Sequence, residues 1–302
     1  MKSMLWILPI VLALLAGFWL LARAMPHANA KPTTEPVTAA HVDAFLAPHR
    51  ATFEASRRPV HHLSLEPFAD DEPTASKVGG RAWWPQDEPA PTGSKGQPLV
   101  LLAQINFAEL PPTPGYPDRG LLQFFITAND FYGANFDGQL GEDELTRQRD
   151  FRVVYWRDTE RPSQRLPLVT GDYLPHRPEQ PLRMGFEPGR EGLSAVDDRF
   201  QAAWPGGLYA AAEAHAARQG LSADDLVSAV HDRFDGSGHK VGGYPHFTQE
   251  DPRRDGGFEL LLQLDTDDRM MWGDSGVGGF FIRPDDLARA DFSRVLYSWD
   301  CY

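Results

Sequence analysis

The sequence predicts an α+β fold: a β-rich, internally duplicated sheet unit with a few packing helices, preceded by an N-terminal hydrophobic helix. Three observations carry this expectation. Residues 4–22 read MLWILPIVLALLAGFWLLA, a run without charge. From about residue 60 onward, short apolar runs alternate with Gly and Pro clusters, as strands and turns do. Four sequence blocks then recur in the same order in both halves of the chain.

The elements follow in chain order. At 1.5 Å per residue the run 4–22 would reach about 28 Å as a helix, close to the hydrocarbon thickness of a bilayer. Lys2 and Arg23 flank it, and Trp6 and Trp19 stand near its ends, where interfacial aromatics are common. The expected reading for 1–23 is a signal anchor. A cleaved signal peptide, with Ala28-Asn29-Ala30 as its small-x-small site, is the alternative. Residues 24–37, with Pro26, Pro32 and Pro36, read as a linker. Thr38 caps a predicted helix carrying Val42, Phe45, Leu46, His49 and Phe53 on one face, and Pro59 stops it.

A single domain is expected over 38–302, with repeat one at about 60–158, an irregular and helical insertion at 159–235, and repeat two at 236–302. Lys77-Val78-Gly79-Gly80 returns as Lys240-Val241-Gly242-Gly243. Leu101-Leu102-Ala103-Gln104-Ile105-Asn106 returns as Leu260-Leu261-Leu262-Gln263-Leu264-Asp265. Gly120 with Phe124-Phe125-Ile126 returns as Gly276 with Phe280-Phe281-Ile282. Asp150-Phe151 before Val153 and Tyr155 returns as Asp291-Phe292 before Val295 and Tyr297. A duplicated β unit has a physical logic, because one copy covers the apolar face and open edge of the other. The groove between copies is then a natural ligand site. In the insertion, Leu182 to Phe186 reads as a strand, Ser194-x-x-Asp197 as a capping box, Leu208 to Arg218 as an alanine-rich helix, and Ser222 as the cap of another.

Composition narrows the function. With 29 basic against 42 acidic side chains the net charge is −13, and such a field repels phosphate backbones. Nucleic acid is therefore not an expected partner. Cys301 is the one cysteine, which excludes an intrachain disulfide and a Cys-based zinc site. No His-x-x-x-His spacing occurs, and Asp265-Thr266-Asp267-Asp268 lacks the glycine and the twelfth-position glutamate of an EF-hand, so neither a metal nor another cofactor is expected.

Thr38-Ala39-Ala40-His41 and Gly273-Asp274-Ser275-Gly276 look like pieces of a chymotrypsin-type protease. The match fails, because that fold needs strands before its histidine and here a linker and an apolar run stand there. A hydrolase using Asp265, Asp274, His239 or Ser275 stays as an alternative. Gln104 and Asn106 share one face of an alternating strand, as do Gln263 and Asp265. Amides recurring at one place suggest a structural role bonding backbone, with groove lining as the alternative. The groove candidates are Trp84, Gln104, His239, Tyr244, Gln263, Asp265, Trp272 and Asp274. No catalytic residue is assigned.

Gly79-Gly80 with Trp84-Pro85, then Leu102 to Asn106, then Gly120 and Phe124-Phe125, resemble the YwqG-like (DUF1963) family. In the second half, Gly238 to Pro245, Gln249, Leu260 to Asp265, and Trp272 to Gly276 before Phe280 to Ile282 resemble its signature stretches, so the resemblance covers roughly 40–302. It implies a mixed, β-rich, duplicated fold without agreed catalytic residues. Some bacterial members sit beside toxin genes, which implies an immunity-like or partner-binding role. The N-terminal apolar run departs from the many members that lack one. The expected function is a non-enzymatic binding module for a protein, peptide or small ligand, with a structural envelope protein as a further alternative. The expected place is the bacterial inner membrane, single-pass with a periplasmic or extracellular domain, or the periplasm or exterior if the leader is cleaved.

Overall fold

Residues 35–135, 141–253 and 257–302 are described in the computed structural model. The apolar run 4–22, its signal or anchor assignment and nearly all of the linker lie outside them. Among the described residues no helix is long and apolar enough to cross a membrane. Thr38 caps helix α1 (Ala39–Leu46) in a capping box in which its hydroxyl accepts from the His41 N–H and the His41 ring accepts from the Thr38 N–H. The helix read through to Pro59 is broken. A 3₁₀ turn at Ala47–His49 separates α1 from α2 (Arg50–Ala55), because Pro48 has no N–H for the helical ladder.

Among the described residues twelve strands follow: β1 (Arg58–Pro67), β2 (Lys77–Val78), β3 (Trp83–Pro85), β4 (Val100–Asn106), β5 (Leu121–Ile126), β6 (Phe151–Trp156), β7 (Ser163–Arg165), β8 (Leu182–Glu191), β9 (Lys240–Gly242), β10 (Glu259–Asp265), β11 (Val277–Ile282) and β12 (Leu296–Asp300). Ten form one antiparallel sheet in the order β12-β11-β10-β9-β1-β8-β2-β4-β5-β6, and β3 pairs with β7 apart from it. The order reads alike from either end. Strands β9, β10, β11 and β12 form one wing and β2, β4, β5 and β6 the other, joined by the long β1–β8 pair in which Ser64 faces Gly185.

The central strands are exchanged. β1 precedes β2 in the chain but pairs with β9, while β8 precedes β9 but pairs with β2. Neither wing can leave without tearing a ladder that the other strand completes. Local detail repeats as well. A bulge interrupts β4–β5 between Leu101 and Ala103, and another interrupts β10–β11 between Leu260 and Leu262. A Cβ on Gly120 would lie 2.6 Å from the Trp156 carbonyl oxygen, and one on Gly276 would fall on that of Asp300. Both positions need glycine because the next strand's backbone fills the space a side chain would use.

The fourth sequence block is out of register. Phe124 faces Val153 and Phe280 faces Tyr297, so Val153 corresponds to Tyr297 and not to Val295. Phe292 precedes β12 rather than entering it. The Asp-Phe pairs are a chance likeness in two strands drawn from the same small set of β-forming residues.

The sheet folds so that the inner faces of both wings share one core. Phe124 meets its counterpart Phe280 at 4.8 Å between ring centroids, and Phe151 meets Tyr297 at 5.1 Å. A separate apolar cluster gathers α1 and α2 with α4 (Asp198–Gln201), α5 (Leu208–Gln219) and α6 (Ala223–Arg233) beyond the end of β8. The short helices α3 (Glu142–Leu145) and α7 (Pro284–Ala288) complete the fold. Ser222 caps α6. Ser194 does not form the capping box read from the sequence. Its hydroxyl donates to the Pro245 carbonyl, and Asp197 caps α4 instead.

Candidate functional site

Four of the eight groove candidates belong to a hydrogen-bond network that both wings repeat. Gln104 donates its amide to the carbonyls of Pro73 (3.0 Å) and Ala75 (2.8 Å), and Gln263 donates to those of Gly236 (2.9 Å) and Gly238 (2.8 Å). The Ser76 hydroxyl accepts the Asn106 N–H, and at the corresponding place the His239 Nδ1 accepts the Asp265 N–H at 2.9 Å. Asp265 accepts the Gly238 N–H at 2.6 Å. These side chains fasten the loop ahead of β2 or β9 to the neighbouring strand, where buried backbone groups need partners.

A buried lysine sits at the start of each network. Lys77 donates to Asp70 at 2.6 Å and Lys240 to Glu191 at 3.0 Å, and both lysines are fully covered. Each carboxylate also accepts a backbone N–H, from Arg81 and Tyr244 respectively. Burial lowers both lysine pKa values, and the paired carboxylates oppose that shift.

The remaining candidates lie apart. Trp84 is buried against Phe125 and Trp156, with its indole N–H on the Glu88 carbonyl. Tyr244 is buried in the helical cluster, donates to the Ser56 carbonyl, and carries the Arg58 guanidinium 3.6 Å over its ring. Trp272 lies in the shared core, and Asp274 is exposed on the β10–β11 loop. None of the eight lines either cavity described below. Apart from exposed Asp274, sequence spacing selected residues that hold the wings in shape. His41, the histidine of the protease-like coincidence, is a helix-cap residue.

The concavity between the wings is a cleft of about 650 Å³. One wall is the segment before β8, with Leu174, His176 and Arg177, and the other is the β10–β11 loop with Asp267 to Met271. The Met271 N–H donates to the Pro175 carbonyl at 2.7 Å and ties the walls together. Phe68 and Val78 form part of the floor. Arg177, Glu179, Asp267, Asp268 and Arg269 bring charge of both signs to the rim, and Met271 is half exposed.

Two groups in the cleft have displaced pKa values. Burial pushes the His176 imidazole down to about 4, against a smaller opposing effect of the Leu101 carbonyl that its Nε2 meets at 3.0 Å. Its Nδ1 has no partner among the described residues. Burial alone would raise the Asp267 carboxyl, but the Arg269 N–H, the His239 ring and the Met270 N–H outweigh it and hold the pKa below the ordinary value. His239 thus reaches the cleft through Asp267, with Nε2 3.3 Å from its carboxylate. With Nδ1 accepting from Asp265 and Nε2 facing Asp267, neither imidazole nitrogen is left for proton transfer. Among the described residues no group of three or more His, Cys, Asp or Glu side chains is placed to hold a metal ion.

Residues 76–301 match the family described as a domain of unknown function, DUF1963. That span is more than half of the chain and holds both cleft walls, both buried lysines and both amides, Gln104 and Gln263. The chain belongs to the DUF1963 family. No curated protein matches it. In this DUF1963 protein the cleft residues escaped the sequence reading for a clear reason. His176 and Arg177 fall in a Pro/Gly-rich segment without periodicity, and Asp267 to Met271 read as an ordinary turn. Asp267 to Met271 carry one signal, position, since they join two strands of the duplicated pattern, whereas His176 and Arg177 precede β8, which matches none of the recurring blocks.

Proposed function

We propose that this DUF1963 protein is a non-enzymatic binding module, displayed at the bacterial envelope, that holds a peptide or protein segment in the cleft between its wings. The cleft carries the reading. Its volume suits a ligand segment, and the exposed Met271 with Phe68 supplies adaptable apolar contact. The mixed rim charges supply orientation and selectivity rather than bulk affinity. The pairing of His239 with Asp267 is what a hydrolase reading would use. The engagement of both ring nitrogens favours binding.

Panning a random peptide library against the protein tests the proposal. Selected peptides are expected to lose roughly tenfold or more in affinity with Met271→Asp and with Arg269→Glu, both exposed positions where the fold tolerates change. Peptides that bind both variants as tightly as the original chain would place the site elsewhere.

A further inference from the structure

The outer faces of the two wings carry matching apolar floors with different covers. Trp84, Leu99, Leu101 and Phe125 form the first, and Phe247, Phe258, Leu260 and Phe281 form the second. The correspondence follows the shared lysine and glutamine positions, and the aromatic pairs agree. Trp84 meets Phe125 at 5.7 Å and Phe247 meets Phe281 at 5.9 Å.

The second floor is closed by the chain itself. Arg253, only 7% exposed, lies 5.5 Å over both Phe247 and Phe281. Asp251 (2.5 Å) and Asp197 (3.1 Å) neutralise it, and Val196 and Leu145 pack against the same floor. In the first wing the counterpart of Arg253, counted from Lys77 and Lys240, is Ala90. There the floor opens into a cavity of about 490 Å³, roofed by residues 166–170.

We propose that this cavity binds a neutral aliphatic chain bearing at most one uncharged polar group. Among the described residues its lining has no charged side chain, and Thr170 is the only one whose side chain holds a polar atom. Pro91, Pro98 and Pro167 also remove three backbone donors. An anion would lose its hydration with no cation to meet it. A peptide would bring an N–H and a C=O with each residue, and the lining offers too few partners. The volume lies within the range of about 300–1,000 Å³ usual for small-molecule pockets.

The test is fluorescence titration of the full chain with N-phenyl-1-naphthylamine, a neutral apolar probe, followed by competition with 1-decanol and with decanoate. Two variants isolate this cavity from binding elsewhere on the chain. Ala90→Trp fills it from an exposed rim position, and Leu168→Asp places a charge on its roof, where Leu168 is 40% exposed. Circular dichroism checks that each folds. The expected result is a saturable component that decanol displaces, that decanoate displaces roughly tenfold less well, and that weakens roughly tenfold or more in either folded variant. The absence of a saturable component, its persistence in the folded variants, or equal competition by decanoate would overturn the assignment.

Discussion

Replacing Gln263 by leucine tests whether the repeated amide is structural. The side chain is 1% exposed and makes three hydrogen bonds, donating to Gly236 and Gly238 and accepting the His246 N–H at 2.7 Å. Gly238 is exposed, so water replaces the lost donor there at little cost. The Gly236 carbonyl and the His246 N–H lie in less accessible surroundings, and each orphaned group costs about 1–3 kcal/mol. Leucine returns roughly 1 kcal/mol through its apolar surface. The net loss is about 3 kcal/mol, a shift of roughly 1 M in the urea midpoint. Gln104→Leu is expected to cost less. There the amide oxygen accepts from Gln123, a side chain that keeps its second bond to the Trp83 carbonyl. A Gln263→Leu loss below about 1 kcal/mol, or a larger loss for Gln104→Leu, would refute the assignment of these amides as backbone fasteners.

Two further outcomes follow from the same structure. Gly276→Ala drives a methyl group onto the Asp300 carbonyl, so stability measured by urea unfolding is expected to fall by at least the roughly 3 kcal/mol of a severe packing defect; exposed Asp274→Ala nearby should change it by no more than about 0.5 kcal/mol. His176 is held neutral in the fold with a pKa of about 4 against an ordinary 6.5, so the unfolded chain binds the extra proton between those values. Its stabilising effect is complete above about pH 6.5 and is lost as pH falls toward 4, a change of roughly 3 kcal/mol. His176→Phe should flatten that part of the stability–pH curve, and an unchanged slope would refute the role.

Three repeat blocks were legible because strands need alternating apolar residues, a glycine where the next strand crosses, and an amide where a loop must be fastened. The same economy misled the fourth block, since Asp-Phe before a strand recurs by composition alone. It also misled the choice of site residues. Gln104, Gln263, His239 and Asp265 stood out because they repeat, and they repeat because both wings need the same bonds. Ser76 performs the task of His239 with a different side chain, so identity along the sequence hid that equivalence.

The linear order of residues determined the β-rich character, the recurring wing, the helical insertion and family membership, because these rest on local periodicity and on residues close along the chain. The exchange of β1 and β8, the partners of the buried lysines, the cleft and the uncovered apolar floor were decided only in three dimensions. The strand exchange joins segments more than a hundred residues apart, such as Arg58 with Glu191, and the others rest on contacts that strand and helix periodicity does not encode, such as Met271 with Pro175; local pattern holds no record of which distant edge a strand will join.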